Sequence, residues 1–183
     1  MKMGRLTIAS VLLVAVLAIL LYLALTGLNR GSSVGIGVGD IAPNLEFTLS
    51  NGSVVHLSNF RGHYVLLYLV VTWCPDCALG TTVLAHYMGL LKSKSIYVIV
   101  LEQYDDLGYS GPSITSFVKY YAGNASAYFI TGEASLEMTK VYNPSLQLEV
   151  YYLISPSGKI LYSGTDLANT YPGLIQSIEH INS

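Results

Sequence analysis

The chain reads as an α/β domain, a central mixed β-sheet flanked by helices, carried behind an N-terminal transmembrane helix. Three observations predict this. From Leu6 to Leu28, "LTIASVLLVAVLAILLYLALTGL" runs without a charge. Beyond it, short apolar runs of strand character alternate with segments of helical spacing, the pattern of a sheet covered by helices. Near the C-terminus two strand-like runs flank a turn, which adds an antiparallel edge to that sheet.

The uncharged run comes first. At ~1.5 Å per residue a helix of this length exceeds the roughly 30 Å hydrocarbon core of a bilayer. A cleaved signal peptide has a shorter apolar region and a small-x-small site; "LALTGLNRG" offers a poor one, so a retained anchor is expected. Lys2 and Arg5 precede the span, and only Arg30 follows before Asp40. Positive flanks stay in the cytoplasm, so the protein is expected to be a single-pass cell-membrane protein with its domain extracytoplasmic. The expected organisation is residues 1–28 as cytoplasmic N-terminus and anchor, 29–39 ("NRGSSVGIGVG") as a flexible Gly/Ser linker, and 40–183 as the domain. Beyond Gly31 six basic residues face eleven acidic ones, with no basic stripe, which excludes nucleic acid as a partner. Sequons at Asn51 and Asn124 are compatible with an extracytoplasmic location.

Within the domain, "LEFTL" and "SVVHL" flank Asn51-Gly52, a hairpin signal. "YVLLYLVV" (Tyr64 to Val71) is continuously apolar, as a central strand covered on both faces should be. From Pro75 to about Lys92 the spacing turns helical, with Leu79, Val83, Tyr87 and Leu90 on one side. "SIYVIVLE" is a second buried strand. A helix follows around Ser113 to Tyr121, then a short strand "AYFI", then a helix over "EASLEMTKVY". "VYYLI" and "KILYSG" form the closing hairpin around Ser155–Gly158, and a last amphipathic helix is expected from about Tyr171 to Ile181.

The only two cysteines, Cys74 and Cys77, fall where the central strand hands over to the first helix, in "VVTWCPDCALG". A cysteine at a helix start meets unpaired backbone N–H groups and the positive end of the helix dipole, both of which favour a thiolate. Pro75 suits the first helical position, where a missing N–H costs nothing. Cys74 is therefore expected to be the exposed nucleophile and Cys77, one turn later and more buried, the resolving thiol. The pair attacks a substrate disulfide, passes through a mixed disulfide and closes as Cys74–Cys77. Trp73 shields the sulfur or simply packs. Structural zinc needs about four ligands, and His56, His63, His86 and His180 show no metal spacing. An inert staple across so short a loop would stabilise little.

The stretch "GDIAPNLEFTLSNGSVVHLSNFRGHYVLLYLVVTWCPDC", with Gly39, Pro43, Gly52 and Gly62, resembles the opening of membrane-anchored thioredoxin-like proteins of the TlpA and ResA type, related to the alkyl hydroperoxide reductase/thiol-specific antioxidant group. The likeness continues through "YLISPSGKILYSG" and so covers nearly all of residues 39–183. It implies a thioredoxin fold and thiol–disulfide oxidoreductase activity outside the membrane, with no cofactor and no metal. The implied partners are protein thiols and disulfides, an upstream membrane electron donor, and the lipid bilayer through residues 6–28.

Three positions depart from the family pattern. The cis-proline of thioredoxins would fall near Glu149, and the nearest proline is Pro144. Thioredoxin buries an acid where this chain has Tyr68, and ResA-type members carry a glutamate where it has Gly80. The usual proton acceptor for Cys77 is thus missing, leaving Glu102, at the end of a neighbouring strand, or Asp76, inside the motif, as replacements.

"FITGEASLEMTKVYNP" followed by "VYYLISPSGKIL" is also similar to Sco-type copper chaperones, and a soft cysteine pair can bind Cu(I). Those proteins separate their cysteines by three residues and add a histidine; here the gap is two, and Gln147 stands near the histidine position. A peroxidase would want a threonine where Val71 stands.

Overall fold

The computed structural model describes residues 13–22 and 33–181. The chain divides into two units, Met1–Ser32 and Ser33–Ser183. In the first, residues 13–22 are helical and exposed throughout. Among the described residues no helix is long and apolar enough to cross a membrane; the remainder of the expected span, 6–12 and 23–28, lies outside them.

The second unit is built on one seven-stranded sheet in the order β2-β1-β5-β4-β3-β6-β7. Strands β1 (Glu46–Leu49) and β2 (Val54–His56) form the expected hairpin. β3 (Tyr64–Val70), β4 (Ile96–Glu102) and β5 (Phe129–Ala134) are mutually parallel. β6 (Glu149–Ile154) runs antiparallel to β3 and pairs with β7 (Ile160–Gly164). β3 is covered on both faces, which is why it reads as an unbroken apolar run. It gives Leu66, Tyr68 and Val70 to one core and Val65, Leu67 and Leu69 to the other.

The first core is closed by helices α1 (Pro75–His86), α2 (Met88–Ser93), α3 (Ile114–Ala122) and α5 (Leu167–Glu179). α4 (Leu136–Tyr142) and the first hairpin close the second.

The structure departs from the sequence reading at four places. The long helix expected to Lys92 breaks at Tyr87, and the most deeply buried side carries Leu84, Met88 and Leu91, while Val83, Tyr87 and Leu90 pack against the core only partly buried. Leu79 is exposed, while Ala78, Gly80, Thr81 and Leu84 face inward. Around Gly80 that face is small because the helix must lie against groups already occupying the space: a Cβ on Gly80 would meet the Tyr68 hydroxyl and stand 3.2 Å from Glu149 Oε2. β5 runs on through Thr131 and Gly132 to Ala134, so α4 starts later, with Ser135 Oγ accepting from Met138 N at 3.1 Å. Gly132 is required because β1 pairs beside it so closely that a Cβ would run into the Thr48 and Leu49 backbone.

α5 begins at Leu167 and carries Pro172 inside it. Residues 33–39 are not a loose tether. Asp40 accepts from Ser33 Oγ (2.6 Å) and Gly37 N (3.1 Å), and Gly39 N donates to Ile160 O (2.9 Å). A Cβ on Gly35 would lie 2.6 Å from the Asp40 carboxylate, so that glycine serves close approach, not flexibility.

Candidate active site

β3 ends at Val70 and delivers the chain through Val71, Thr72 and Trp73 to the start of α1. Cys74 is the N-cap of that helix: its sulfur accepts a hydrogen bond from Cys77 N at 3.2 Å, and Pro75 occupies the first turn. A cysteine sulfur in place of the usual cap oxygen receives an N–H otherwise left without a partner. Both cysteines are free thiols in this structure. The expectation that Cys74 is exposed is corrected: it is 2% exposed and Cys77 is fully buried. Cys74 instead lines a pocket of about 200 Å³ together with Asp76, Gln147, Leu148, Glu149, Thr165 and Asp166.

Cys77 Sγ donates to Leu148 O at 3.4 Å, a carbonyl that also accepts from Val71 N and from Gln103 Nε2, each at 3.0 Å. The segment before β6 is fixed from beneath by buried polar residues. Asn143 Nδ2 donates to Gln103 Oε1 (2.5 Å) and Gln147 N to Asn143 Oδ1 (2.9 Å). No peptide bond among the described residues is cis. Burial first, and then its contact with Cys74, pushes the Cys77 thiol well above its ordinary value.

Trp73 is set by a second loop. Residues Asp105, Asp106 and Leu107 all adopt left-handed backbone (φ 52°, 47° and 55°), followed by Gly108 at φ 87°. The buried Asp106 carboxylate accepts from Thr72 N (2.7 Å) and Thr72 Oγ1 (2.8 Å). Its carbonyl accepts from Trp73 Nε1 (2.9 Å), and the indole leans on Tyr109 with ring centroids 5.0 Å apart.

Of the expected site residues, Trp73, Cys74, Pro75, Asp76 and Cys77 come together, Asp76 on the exposed rim. Glu102 does not join them. It lines a separate pocket with Gln103, Tyr104, Asp105, Glu133 and Ala134. Its carboxyl is pushed up to about 7, by burial first and then by the nearby Asp106 and Glu133 charges.

The acid at the cysteines is Glu149, which the sequence reading noted only as the place of a missing proline. It heads β6 opposite Val70 and is 4% exposed. Glu149 Oε1 accepts from Leu167 N at 2.6 Å, and Oε2 accepts from the Tyr68 hydroxyl, which also lies 3.3 Å from Cys77 O. Burial pushes its carboxyl up to about 7, against the Leu167 hydrogen bond and with help from the Asp166 charge. One signal was available: an acid opening a strand otherwise wholly apolar, in a chain with a glycine on the facing helix.

Among the described residues no group of three or more His, Cys, Asp or Glu is placed to hold a metal ion.

Comparison with known proteins agrees with this geometry. A family model described as Redoxin matches residues 37–173. The thiol-disulfide oxidoreductase ResA of Bacillus subtilis (strain 168) is 27% identical over 160 residues, covering 87% of this chain and 84% of that protein. Among solved structures, a thioredoxin-like protein from Aeropyrum pernix superposes with a TM-score of 0.60 at 21% identity, over 74% of this chain and 88% of that one. Copper-bound ScoI of Arabidopsis thaliana superposes at 0.54 and 18% identity, over 76% and 98%. These likenesses establish a thioredoxin-like fold.

Proposed function

Because the chain belongs to the Redoxin family, we propose that it is a thiol–disulfide oxidoreductase that works outside the membrane and reduces protein disulfides through Cys74 and Cys77. The observation that carries this is the cap: the Cys74 sulfur, which lines a pocket, accepts the N–H of Cys77, while Cys77 is buried one turn behind it. The positive end of α1 favours a negative sulfur at Cys74.

Cys74 thiolate attacks one sulfur of a substrate disulfide. That S–S bond breaks, and the other half leaves with the electron pair and takes up a proton. Deprotonated Cys77 then attacks the Cys74 sulfur of the mixed disulfide, and the second substrate sulfur leaves as a thiol. Two electrons have passed to the substrate and the Cys74–Cys77 disulfide remains, to be reduced again by an upstream membrane donor. Trp73 walls the sulfur on one side. Residues 6–28 anchor the domain in the bilayer, with residues 1–5 cytoplasmic; the uncharged run and its Lys2 and Arg5 flank support this.

The test is trapping. Cys77→Ser accumulates stable mixed disulfides with partner proteins through Cys74, whereas Cys74→Ser accumulates almost none. Capture through Cys77 instead would reverse the assignment. Equilibration of the wild-type pair in glutathione buffers gives the direction: a strongly reducing couple supports a reductase, an oxidising one a disulfide donor.

A Sco-like copper role is the second reading, favoured by the shared fold. It would take first place if the reduced domain held stoichiometric Cu(I) against a strong chelator.

A further inference from the structure

The oxidoreductase reading requires Cys77 to lose a proton in a place that resists charge. Cys77 is fully buried and its Sγ faces a carbonyl oxygen, which accepts hydrogen bonds and cannot take the proton. Resting on that reading, we infer that Glu149, held by Tyr68, is the proton acceptor that turns Cys77 into a nucleophile when the mixed disulfide resolves.

Three features of the packing carry the inference. Gly80, one turn beyond Cys77, has no side chain, and the Glu149 carboxylate lies 3.2 Å from where its Cβ would be. The carboxylate is therefore seated against the inner face of the helix turn that bears the thiol. Tyr68 hydroxyl touches both the Glu149 carboxylate and the Cys77 carbonyl. With Glu149 ionised, the hydroxyl donates to the carboxylate. With Glu149 protonated, the acid donates to the tyrosine oxygen, and the hydroxyl hydrogen is free to turn to Cys77 O. The pair thus holds a proton in either state with every polar group satisfied. Third, Glu149 lines the pocket that Cys74 also lines, which gives the proton an exit to solvent.

The charged and titratable groups facing Glu149 are Tyr68 from β3, Tyr151 from β6, Cys74, Asp76 and Cys77 from the motif, and Asp166 before α5. None is a cation, so no neighbouring positive charge holds the Glu149 carboxyl ionised and unable to take up a proton. The balance is simple: the Cys77 S–H proton goes to Glu149, the sulfur lone pair forms the Cys74–Cys77 bond, and the substrate sulfur departs with the electrons of the mixed disulfide.

The experiment uses the reduced wild-type protein and dithiobis-nitrobenzoate in stopped flow. The first coloured nitrothiolate reports attack by Cys74 and the second reports resolution by Cys77. A nitrothiolate leaves as an anion, so the only proton moved in the second phase is that of Cys77. In the wild type the second phase should rise with pH to an inflection near 7 and then level off. Glu149→Gln should slow the second phase by about 10- to 100-fold near neutral pH and erase the inflection, changing the first phase far less. Tyr68→Phe keeps the carboxylate but removes its donor, and should move the inflection to higher pH.

A second phase at wild-type rate in Glu149→Gln overturns the inference. So does a wild-type profile that climbs through neutrality without inflection, a measurement that needs no variant to fold. Absence of any second phase in the wild type would instead sink the oxidoreductase reading itself.

Discussion

A carboxylate with one hydroxyl and one backbone N–H for company costs more to bury as it ionises. Glu149 sits at about 7 in the folded protein against an ordinary 4.5, so between those values the folded chain binds a proton that the unfolded chain has released. Stability from this group is therefore full below about pH 4.5 and is lost as pH rises toward and past 7, by up to about 3 kcal/mol. Glu102 titrates over a similar range, so the wild type alone does not isolate the effect. The difference between wild type and Glu149→Gln does: in denaturant unfolding the variant should gain on the wild type as pH rises from 4.5 to 7.5, and a pH-independent difference would contradict the burial described here. Local chemistry made Trp73, Cys74, Pro75 and Cys77 readable in the sequence, because a helix start needs only neighbours along the chain. Glu149, Tyr68 and Gly80 form a group only through tertiary packing, and each alone looks ordinary. Glu102 was a reasonable candidate as a carboxylate ending a strand beside β3, but its side chain serves another pocket.

At the scale of elements, the 105–108 turn carries the site's strain. Three consecutive non-glycine residues in left-handed backbone cost roughly 1 kcal/mol each. The two hydrogen bonds from Thr72 to Asp106, each about 1.5–3 kcal/mol with a charged acceptor, offset that cost and clamp the turn to the approach to α1. Asp106→Ala should lower unfolding stability by about 3 kcal/mol. The chain has one tryptophan, so its emission reports Trp73 alone; that emission should shift to the red as the indole loses its lid. Unchanged emission and stability would show that the turn is held by other contacts. Strand existence was legible almost everywhere, since buried parallel strands read as apolar runs. Helix faces were less so: the start of α1 buries Ala78, Gly80 and Thr81 because the Tyr68–Glu149 pair fills the space that larger residues would need at Gly80. β5 runs on past the expected "AYFI" through Thr131 and Gly132 because β1 pairs with it there.

For the whole molecule, the mixed sheet and its closing hairpin follow from alternation alone, while the order of strands does not, since nothing local says that β5 and not β3 receives β1. Topology across the membrane is open to direct measurement. Protease added to intact cells or right-side-out vesicles should digest residues 40–183 and spare residues 1–5; full protection of the domain would reverse the proposed orientation. The antiparallel direction of β6 has a further consequence. Because β6 runs against β3, its first residue stands beside the last residue of β3, and an acid from late in the chain reaches thiols from its middle. Leu167, which holds that acid, comes later still. As the polypeptide leaves the ribosome, both cysteines are therefore out well before the group that lets Cys77 respond. The site is therefore complete only once β6 and the start of α5 have joined the sheet, so its assembly waits on the last third of the chain to be made.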